Sequence, residues 1–270
     1  VSTFSIEAMM RDGRALQSGT SHYMGENFAR SFGIQYSADS GEQRFCHTTS
    51  WGMSTRMLGG VIMTHGDDKG LVLPPLLAPY QVVVVPIGRG EQAAQILAAA
   101  TGLAERLRAA GIRTHVDSRE QLSPGFKFND WELRGVPIRL ELGPRDLAEG
   151  SALMSIRLGE GKTAISLDSA PARVQYELAV FQAMLLERAT EFRDAHTRTV
   201  DTWEEFVEAV QTGWALAFHC GLPACEDDIK AETSATPRCI PADGPPEQGL
   251  CVRCNLPSAY GKRLIFGRSY

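Results

Sequence analysis

The chain has 270 residues and a net charge of -5, with 43% hydrophobic and 22% charged residues. This composition is typical of one large globular domain or two to three small ones, and the acidic balance excludes nucleic-acid binding through a global positive field. We find no signal-peptide pattern and no apolar run long enough to cross a membrane, so we expect a soluble, cytoplasmic protein without a membrane partner.

The N-terminal part of the chain is rich in Ser, Thr and Gly and in short β-type segments. These segments predict strands over Phe4–Met10 and Gly59–His65. Between them, Phe28, Ala29 and Phe32 are spaced as on one face of a short amphipathic helix. The Pro-rich segment LVLPPLLAPYQ that follows predicts a domain boundary.

After this boundary the pattern becomes that of an α/β domain. Gln81–Ile87 is a continuous apolar run, typical of a strand buried on both faces, and an amphipathic helix follows it up to a terminating glycine, Gly111. Pro171 opens a second long helix. Four more strands are predicted between the helices, over Ile112–Asp117, Val136–Leu142, Ala152–Leu158 and Lys162–Leu167. This order predicts a small α/β domain with a mixed sheet.

The C-terminal part begins with Asp201-x-x-Glu204, a spacing similar to a capping box. A helix is predicted to follow, with apolar residues from Trp203 to Trp214 on one face. Two turns containing cysteines and a polar loop come next. The chain then closes on LIFGRSY, which we expect to form a strand.

Five of the six cysteines lie in this C-terminal part. The spacing C-x4-C, a long loop and then C-x2-C is typical of two chelating turns that close a tetrahedral thiolate site, so it predicts a structural zinc ion. The predicted ligands are Cys220, Cys225, Cys251 and Cys254. The alternative is a set of reduced cysteines that only pack against their neighbours. Cys46 and Cys239 are interpreted as packed thiols.

Four longer segments carry a resemblance to a known family. They are SGTSHYMGENFARSFGI, SWGMSTRMLGG, MTHGDDKGLVLPPLLAPYQVVVVPI and SPGFKFNDWELRGVPIRLELGPRD. Together and in this order they resemble prolyl-tRNA synthetase, a class II aminoacyl-tRNA synthetase, in its archaeal and eukaryotic-like subtype with a zinc-binding C-terminal domain. The resemblance covers essentially the whole chain, but the first two class II motifs have no counterpart. We therefore interpret the chain as the C-terminal half of such an enzyme and expect it to be inactive alone.

The resemblance implies an α/β and α+β fold in three parts. Residues 1–77 would be the end of the antiparallel-sheet catalytic domain, residues 78–194 an α/β anticodon-binding domain with a mixed sheet, and residues 195–270 a small zinc-binding α+β domain. It also implies that a full-length, homodimeric ligase uses ATP with Mg²⁺, L-proline and tRNA-Pro. Two other hypotheses are a non-catalytic fragment that binds the tRNA anticodon and zinc, and a free-standing zinc protein of unrelated function.

The resemblance further implies the residues of the substrate sites. Those of the ATP site are Gln17, Thr20, Ser54 and Arg56, and those of the proline pocket are His22, Trp51 and Gly52. A guanidinium can stack on adenine and contact phosphate at the same time, which agrees with the role implied for Arg56. Arg56 is expected to precede a strand of small residues. The alternatives are a surface turn at residues 17–22 and a solvated surface arginine.

By the same resemblance, four residues contact the anticodon: Phe128, Glu132, Arg139 and Lys162. They belong to a region that mixes aromatic and charged residues at the entrance to a strand. A guanine edge offers two hydrogen-bond donors beside an acceptor. A glutamate can accept hydrogen bonds from the donors, and Arg or Lys can donate to the acceptor. Phe128 would provide a surface on which a base stacks. For Phe128 and Trp131 the alternative is packing in the core.

The last residue, Tyr270, is implied to dock with its carboxylate toward the catalytic pocket. A zinc-bound turn near the terminus would supply the rigidity that a short tail lacks, since chain ends normally fray. The alternative is a frayed, solvent-exposed end.

Overall fold

The structure is a computed structural model that describes residues 1–88 and 90–270. The chain divides into two compact units, one built from Val1–Thr64 together with Glu191–Tyr270, and the other from His65–Thr190. Within the described ranges, no helix combines the length and the apolar character needed to cross a bilayer.

The N-terminal segment builds a three-stranded antiparallel sheet in the order β1-β2-β5. Its elements are β1 Ser2–Met9, β2 Ala15–Gly25, α1 Asn27–Phe32, β3 Gln35–Ser37, β4 Gln43–Phe45, β5 Thr48–Met53 and α2 Arg56–His65. The strand predicted over Phe4–Met10 and the short helix around Phe28 are confirmed.

The strand predicted over Gly59–His65 is wrong, because this segment is the C-terminal part of α2. Arg56 accordingly begins a helix instead of preceding a strand. Its backbone N–H donates to Ser54 Oγ at 3.3 Å, which satisfies one of the free donors of the first turn. This hydroxyl favours helix over the strand that the β-branched residues Val61 and Ile62 suggest.

Residues 65–190 form a five-stranded mixed sheet in the order β10-β9-β8-β6-β7. The elements are β6 Val82–Pro86, α3 Gln92–Ala109, β7 Thr114–Val116, α4 Pro124–Leu133, β8 Ile138–Leu142, α5 Pro144–Ala148, β9 Ser151–Ile156, β10 Thr163–Ser166 and most of α6 Ala170–Ala195. Strand β6 is parallel to β7 and β8, whereas β9 is antiparallel to β8 and β10. The predicted mixed sheet and its five strands are confirmed.

Strand β6 is buried on both faces, as its continuous apolar run predicts. Val82 and Val84 pack in one core with the apolar stripe of α3, and Val83 and Val85 pack in another with Trp131. The core alternative for Trp131 is therefore confirmed. The sequence reasoning did not foresee α4, which begins where Ser123 Oγ accepts the Phe126 N–H at 3.3 Å.

The C-terminal segment forms a four-stranded sheet in the order β11-β12-β14-β13. Its elements are β11 Thr197–Thr199, α7 Trp203–Thr212, β12 Trp214–Ala217, α8 Pro223–Thr233, β13 Ala235–Cys239 and β14 Leu264–Arg268. Strand β11 is parallel to β12, and the other pairs are antiparallel. The strand predicted at the end of the chain is confirmed as β14.

Two details of this segment differ from the prediction. The capping box of α7 is formed by Thr202 and Glu205, one residue later than predicted. Trp214 is not on the helix but is the first residue of β12. Gly213 separates the two elements, and a Cβ there would lie 2.0 Å from the backbone oxygen of His196, so only glycine fits this close approach.

Candidate substrate and metal sites

A β-bulge in β2 determines which residues share a face of the N-terminal sheet. Ser5 pairs with Thr20 and Glu7 pairs with Gln17, so Ser18 is an extra residue in β2. Directly paired residues of antiparallel strands point to the same side, and a bulge interrupts the alternation along its strand. Gln17 therefore lies on the same side as Thr20, although three positions separate them.

His22 lies on this same side, between two hydroxyl groups. Its Nδ1 is 2.9 Å from Thr3 Oγ1 and its Nε2 is 3.1 Å from Thr20 Oγ1. On the neighbouring strand, Gly52 pairs with Thr20, and a Cβ added to Gly52 would meet no described atom within 4 Å. His22 and Gly52, both predicted to bind proline, thus flank Thr20, which is predicted to bind ATP, and the space next to Gly52 is open.

The remaining predicted ATP residues also meet here. Arg56 Nη1 donates to the backbone oxygen of Gln17 at 3.4 Å, which links the start of α2 to the bulge. Ser54 is held next to Arg56 by the hydrogen bond that begins this helix. The Gln17 side chain donates from Nε2 to Glu7 Oε1 at 3.0 Å. The arrangement places a guanidinium and an amide beside a sheet face that carries hydroxyls and an imidazole.

The structure does not bring Trp51 to this face, which corrects its expected place beside His22. Trp51 pairs with Ser21, the neighbour of His22 in β2, so its ring projects from the opposite side of the sheet. The indole is 80% exposed. Other exposed apolar residues share that side: Phe4, Ile6 and Met53.

Three of the four predicted anticodon residues meet around one buried carboxylate, Glu141. Its Oε1 accepts from Arg139 Nε at 3.1 Å, and its Oε2 accepts from Lys162 Nζ at 2.7 Å. Both cations lie against the ring of Phe128, with the guanidinium 4.3 Å and the ammonium 5.0 Å from the ring centre. The fourth, Glu132, lines a pocket of about 200 Å³ together with Arg139.

Sequence reasoning missed Glu141. The available signal was its position two residues after Arg139 in a strand, which puts both side chains on one face. A carboxylate that is 3% exposed and shared by two cations fixes the directions in which they can donate. In this arrangement Phe128 is a surface against which the cations are oriented.

The four predicted zinc ligands converge at one end of the C-terminal sheet. Cys220 follows β12 and Cys225 lies in the first turn of α8, while the other two cysteines flank a tight turn. The Sγ atoms of Cys225 and Cys251 are 3.6 Å apart, and those of Cys220 and Cys254 are 3.5 Å apart. A tetrahedral zinc with Zn–S bonds of about 2.3 Å needs sulfur separations of about 3.8 Å. The spacing therefore fits the ion.

Backbone donors surround the innermost sulfur. Burial by itself raises the pKa of the Cys251 thiol, but hydrogen bonds from the backbone N–H groups of Cys254, Arg253 and Cys220 lower it to about 7. Such donors stabilise a thiolate, which is the form that binds metal. Burial raises the pKa of the thiols of Cys220, Cys225 and Cys239, so the lowered value belongs to Cys251 among these four cysteines.

His219, which the sequence did not single out, also lies at this cluster. One of its ring nitrogens and the sulfurs of Cys220, Cys225 and Cys251 lie within 4.8 Å of one another. However, its Nδ1 accepts the Gly221 N–H at 3.1 Å, so the ring proton is on Nε2. Metal binding through Nδ1 would break this hydrogen bond. Metal binding through Nε2 would move the ring proton to Nδ1, where it would face the Gly221 N–H. Four thiolates are therefore the better donor set, with His219 beside them.

The C-terminal residue is docked on the turn between β1 and β2. The Tyr270 hydroxyl donates to Asp12 Oδ2 at 2.7 Å, and Ser269 forms a β-bridge with Ala15. The Arg14 guanidinium lies 5.5 Å from the centre of the Tyr270 ring. Burial and the Asp12 hydrogen bond raise the pKa of Tyr270 to about 12, so the phenol stays neutral and donates.

The sequence is similar to those of known protein families and enzymes. Residues 203–270 match the family described as prolyl-tRNA synthetase, C-terminal, and residues 81–177 match the family described as anticodon binding domain. The chain is 63% identical to proline–tRNA ligase 2 of Rhodococcus jostii, 61% to the proline–tRNA ligase of Mycobacterium leprae and 48% to that of Deinococcus radiodurans. Each alignment includes the whole of this chain, but it includes only 56%, 56% and 55%, respectively, of the relative's own length. The chain thus spans about half the length of these relatives.

Proposed function

Because the chain belongs to the prolyl-tRNA synthetases, whose C-terminal half it matches, we propose that it works as the C-terminal part of a proline–tRNA ligase. In this reaction the proline carboxylate attacks the α-phosphate of ATP, giving prolyl-adenylate and pyrophosphate. The prolyl group then passes to the 3′ end of tRNA-Pro. Such chemistry asks the protein chiefly to align two anions and to stabilise charge on phosphorus.

For the first step we assign the polar face of the N-terminal sheet to ATP and proline. Arg56 is the cation that contacts phosphate and adenine, and Gln17 and Thr20 bind the nucleotide beside it. His22 and Gly52 border the small space for proline. The bulge at Ser18 supports this assignment, since bulges commonly re-aim side chains next to active sites.

Tyr270 is assigned to the same region through its carboxylate. The docked ring on the turn between β1 and β2 supports this role. Homodimerisation of the complete ligase, its use of Mg²⁺ and the three-part division at residues 77/78 and 194/195 belong to the same proposal.

The observation that carries the proposal is the cluster of Arg139, Lys162 and Phe128 around Glu141, with Glu132 in the adjoining pocket. The cations present donors that suit guanine O6 and N7, and the Glu132 carboxylate presents acceptors that suit the guanine N1–H and N2–H groups. Proline anticodons contain two consecutive guanines. A site with both kinds of group distinguishes guanine from the other bases in an unpaired anticodon loop.

The four thiolates are assigned to a structural zinc ion. When bound, the ion would tie the turn after β12 to the turn at Cys251 without an open coordination position. The protein's own residues hold the ligands in place: the Asn255 N–H donates to the Cys251 carbonyl at 2.9 Å, and the backbone donors described above face the Cys251 sulfur.

The test is binding of anticodon stem-loops to the 270-residue chain. We expect the proline stem-loop to bind, and stem-loops in which either guanine is replaced by adenine to bind more weakly, by about 1–3 kcal/mol for each lost contact. A chain that binds all of these RNAs equally does not read a proline anticodon.

Proline-dependent exchange of pyrophosphate into ATP separates the two functional hypotheses. We expect none from the 270-residue chain, and exchange from the complete reading frame that contains it. Specific stem-loop binding without exchange from the complete frame would favour the non-catalytic anticodon-binding and zinc-binding module.

A further inference from the structure

Glu7 lies between the proposed ATP site and the C-terminal sheet. Its side chain is 2% exposed. One carboxylate oxygen, Oε1, accepts from Gln17 Nε2 at 3.0 Å. The other, Oε2, accepts from Arg238 Nε at 3.2 Å and from Arg238 Nη2 at 2.9 Å. Arg238 belongs to β13, and neither it nor Glu7 has a role in the proposed function.

The hydrogen bonds of the two Glu7 carboxylate oxygens determine the orientation of the Gln17 side-chain amide. An ionised carboxylate only accepts hydrogen bonds, so the NH₂ end of the Gln17 amide must face Glu7. The carbonyl end then points away, and within the described ranges it forms no hydrogen bond. It is therefore an acceptor available to a ligand that carries an N–H or O–H donor.

Arg238 supplies the opposite charge that Glu7 needs. A buried carboxylate without a partner is strongly disfavoured, and a neutral side chain in its place could donate as well as accept. The amide of Gln17 would then lose its fixed orientation. Arg238 is itself held by its strand and by a hydrogen bond from Nη1 to Thr236 Oγ1 at 3.3 Å.

Other contacts also join the C-terminal segment, which carries Arg238, to the β1–β2 hairpin, which carries Glu7. Trp214 packs in one buried cluster with Met9 and Ala15, at the end of the β1–β2 hairpin. The hairpin turn also approaches the C-terminal segment at Gly13, where an added Cβ would lie 2.2 Å from the backbone oxygen of Thr212. The C-terminal segment therefore packs closely against the hairpin that carries Gln17.

We propose that Glu7 and Arg238 are positioning residues of the nucleotide site. Arg238 holds Glu7, Glu7 orients the amide of Gln17, and the Gln17 carbonyl accepts a hydrogen bond from ATP. The donor is a ribose hydroxyl or the amino group of adenine. This inference rests on the proposed function, and it makes the C-terminal sheet part of ATP recognition without direct contact.

The experiment uses proline-dependent pyrophosphate exchange by the complete ligase. Arg238→Met and Glu7→Gln are expected to raise KM for ATP about 3- to 10-fold, the loss of roughly one hydrogen bond, while KM for proline and kcat change less than about 2-fold. Arg238→Lys keeps the charge and is expected to recover part of the affinity. A merely structural role would lower the thermal midpoint without this selective effect on ATP.

Arg263→Met is the matched control. Arg263 is buried to a similar degree, 12% exposed against 14% for Arg238, but it pairs with Asp201 and Glu247. We expect it to lower the thermal midpoint and to leave KM for ATP unchanged. An equal rise in KM for this variant would overturn the inference.

Nucleotide analogues identify the donor. The wild-type ligase is compared on 2′-deoxy-ATP, 3′-deoxy-ATP and a purine triphosphate that lacks the 6-amino group, and the analogue that lacks the donor should lose affinity. That loss should disappear in Glu7→Gln, because the freed amide no longer selects a donor. Exchange by the wild type with unchanged KM values in both variants would overturn this inference alone. Absence of exchange by the complete wild-type ligase would overturn the proposed function as well.

Discussion

Arg157 and Asp67 form a bidentate ion pair, with Nη1 3.0 Å from Oδ2 and Nη2 2.5 Å from Oδ1. The hydrogen bond from Arg157 holds the pKa of Asp67 below its usual value. The Arg157 side chain is buried, and its Nε also donates to the backbone oxygens of Leu71 at 3.0 Å and Glu132 at 3.2 Å. The end of α4 is therefore anchored at the residue that we assign to the guanine edge.

Glu132→Ala tests this assignment, because the anchored backbone should keep its place when the side chain is removed. We expect weaker binding of the proline stem-loop, by about 1–3 kcal/mol, and less discrimination against a changed second guanine. Titration of matched and mismatched RNA measures both. Glu160→Ala, at an exposed position in the turn before β10, is the control for the change of charge. Equal losses on both RNAs would mean that Glu132 only supports the fold.

Glu141→Gln tests the shared carboxylate. The substitution keeps the shape but removes the charge that orients Arg139 and Lys162. We expect the ratio of matched to mismatched binding to fall at least about 3-fold, and binding to unrelated RNA to be maintained, since both cations remain available to phosphates. Competition binding at a fixed salt concentration measures the ratio. An unchanged ratio would show that Glu141 does not control the reading of bases.

Some elements were predictable because one periodicity dominated them. The run Val82–Val85 reads as a strand buried on both faces, and the structure has it so. The segment Gly59–His65 was ambiguous, since apolar residues in a short run suit either a strand or a helix. The hydroxyl of Ser54 at the start of α2 favours helix there, and its hydrogen bond is visible only once the backbone is placed.

The site residues also differ in whether the sequence alone predicts their positions. The cysteine spacing predicts a cluster because ligand pairs close together in sequence must lie close in space. The places of Glu7 and Glu141 depend on partners far along the chain or on strand register, which one sequence does not specify. The same holds for Trp51, whose side of the sheet depends on pairing with Ser21.

Cys251→Ser tests the thiolate cluster. Without this sulfur the site has three thiolates, so we expect the metal content to fall from about one zinc per chain and the thermal midpoint to drop. Elemental analysis of protein purified without chelator gives the content. Cys239→Ser, a half-buried cysteine in β13, should retain the metal. Wild-type protein without zinc would contradict the assignment.

Stability at acid pH should depend on Asp117. Burial by itself raises the pKa of this carboxyl, but hydrogen bonds from Arg119 and Trp131 lower it to about 2 from an ordinary 3.8. A lowered pKa means that the unfolded state binds the proton more tightly. The contribution, about 2 kcal/mol, is therefore present above pH 3.8 and is lost as the pH falls toward 2.

Asp117→Asn checks this contribution. We expect the variant to be less stable at neutral pH but to lose less free energy of unfolding between pH 4 and pH 2 than the wild type. Denaturant unfolding across this range measures the difference. Asp168→Asn, at an exposed site, should follow the wild-type curve. Parallel curves for the wild type and Asp117→Asn would show that other groups control acid unfolding.

The docked C-terminus gives the last prediction. The neutral Tyr270 phenol donates to Asp12, so this bond is present below pH 10, the ordinary pKa, and is lost as the pH rises through about 12. Tyr270→Phe removes the hydroxyl but keeps the ring and the terminal carboxylate. We expect faster amide exchange in residues 268–270 and a loss of stability below about 1 kcal/mol, since the ring is 56% exposed.

Deletion of Ser269 and Tyr270 from the complete ligase removes the carboxylate as well. We expect a slower adenylation step or a higher KM for proline, in either case a larger effect than that of Tyr270→Phe, because only the deletion takes away the charge directed at the proposed active site. Pyrophosphate exchange with proline as the varied substrate measures both parameters. If neither the deletion nor Tyr270→Phe changes the adenylation rate or KM for proline, the tail has only a structural role, in which it holds the C-terminal sheet against the β1–β2 turn.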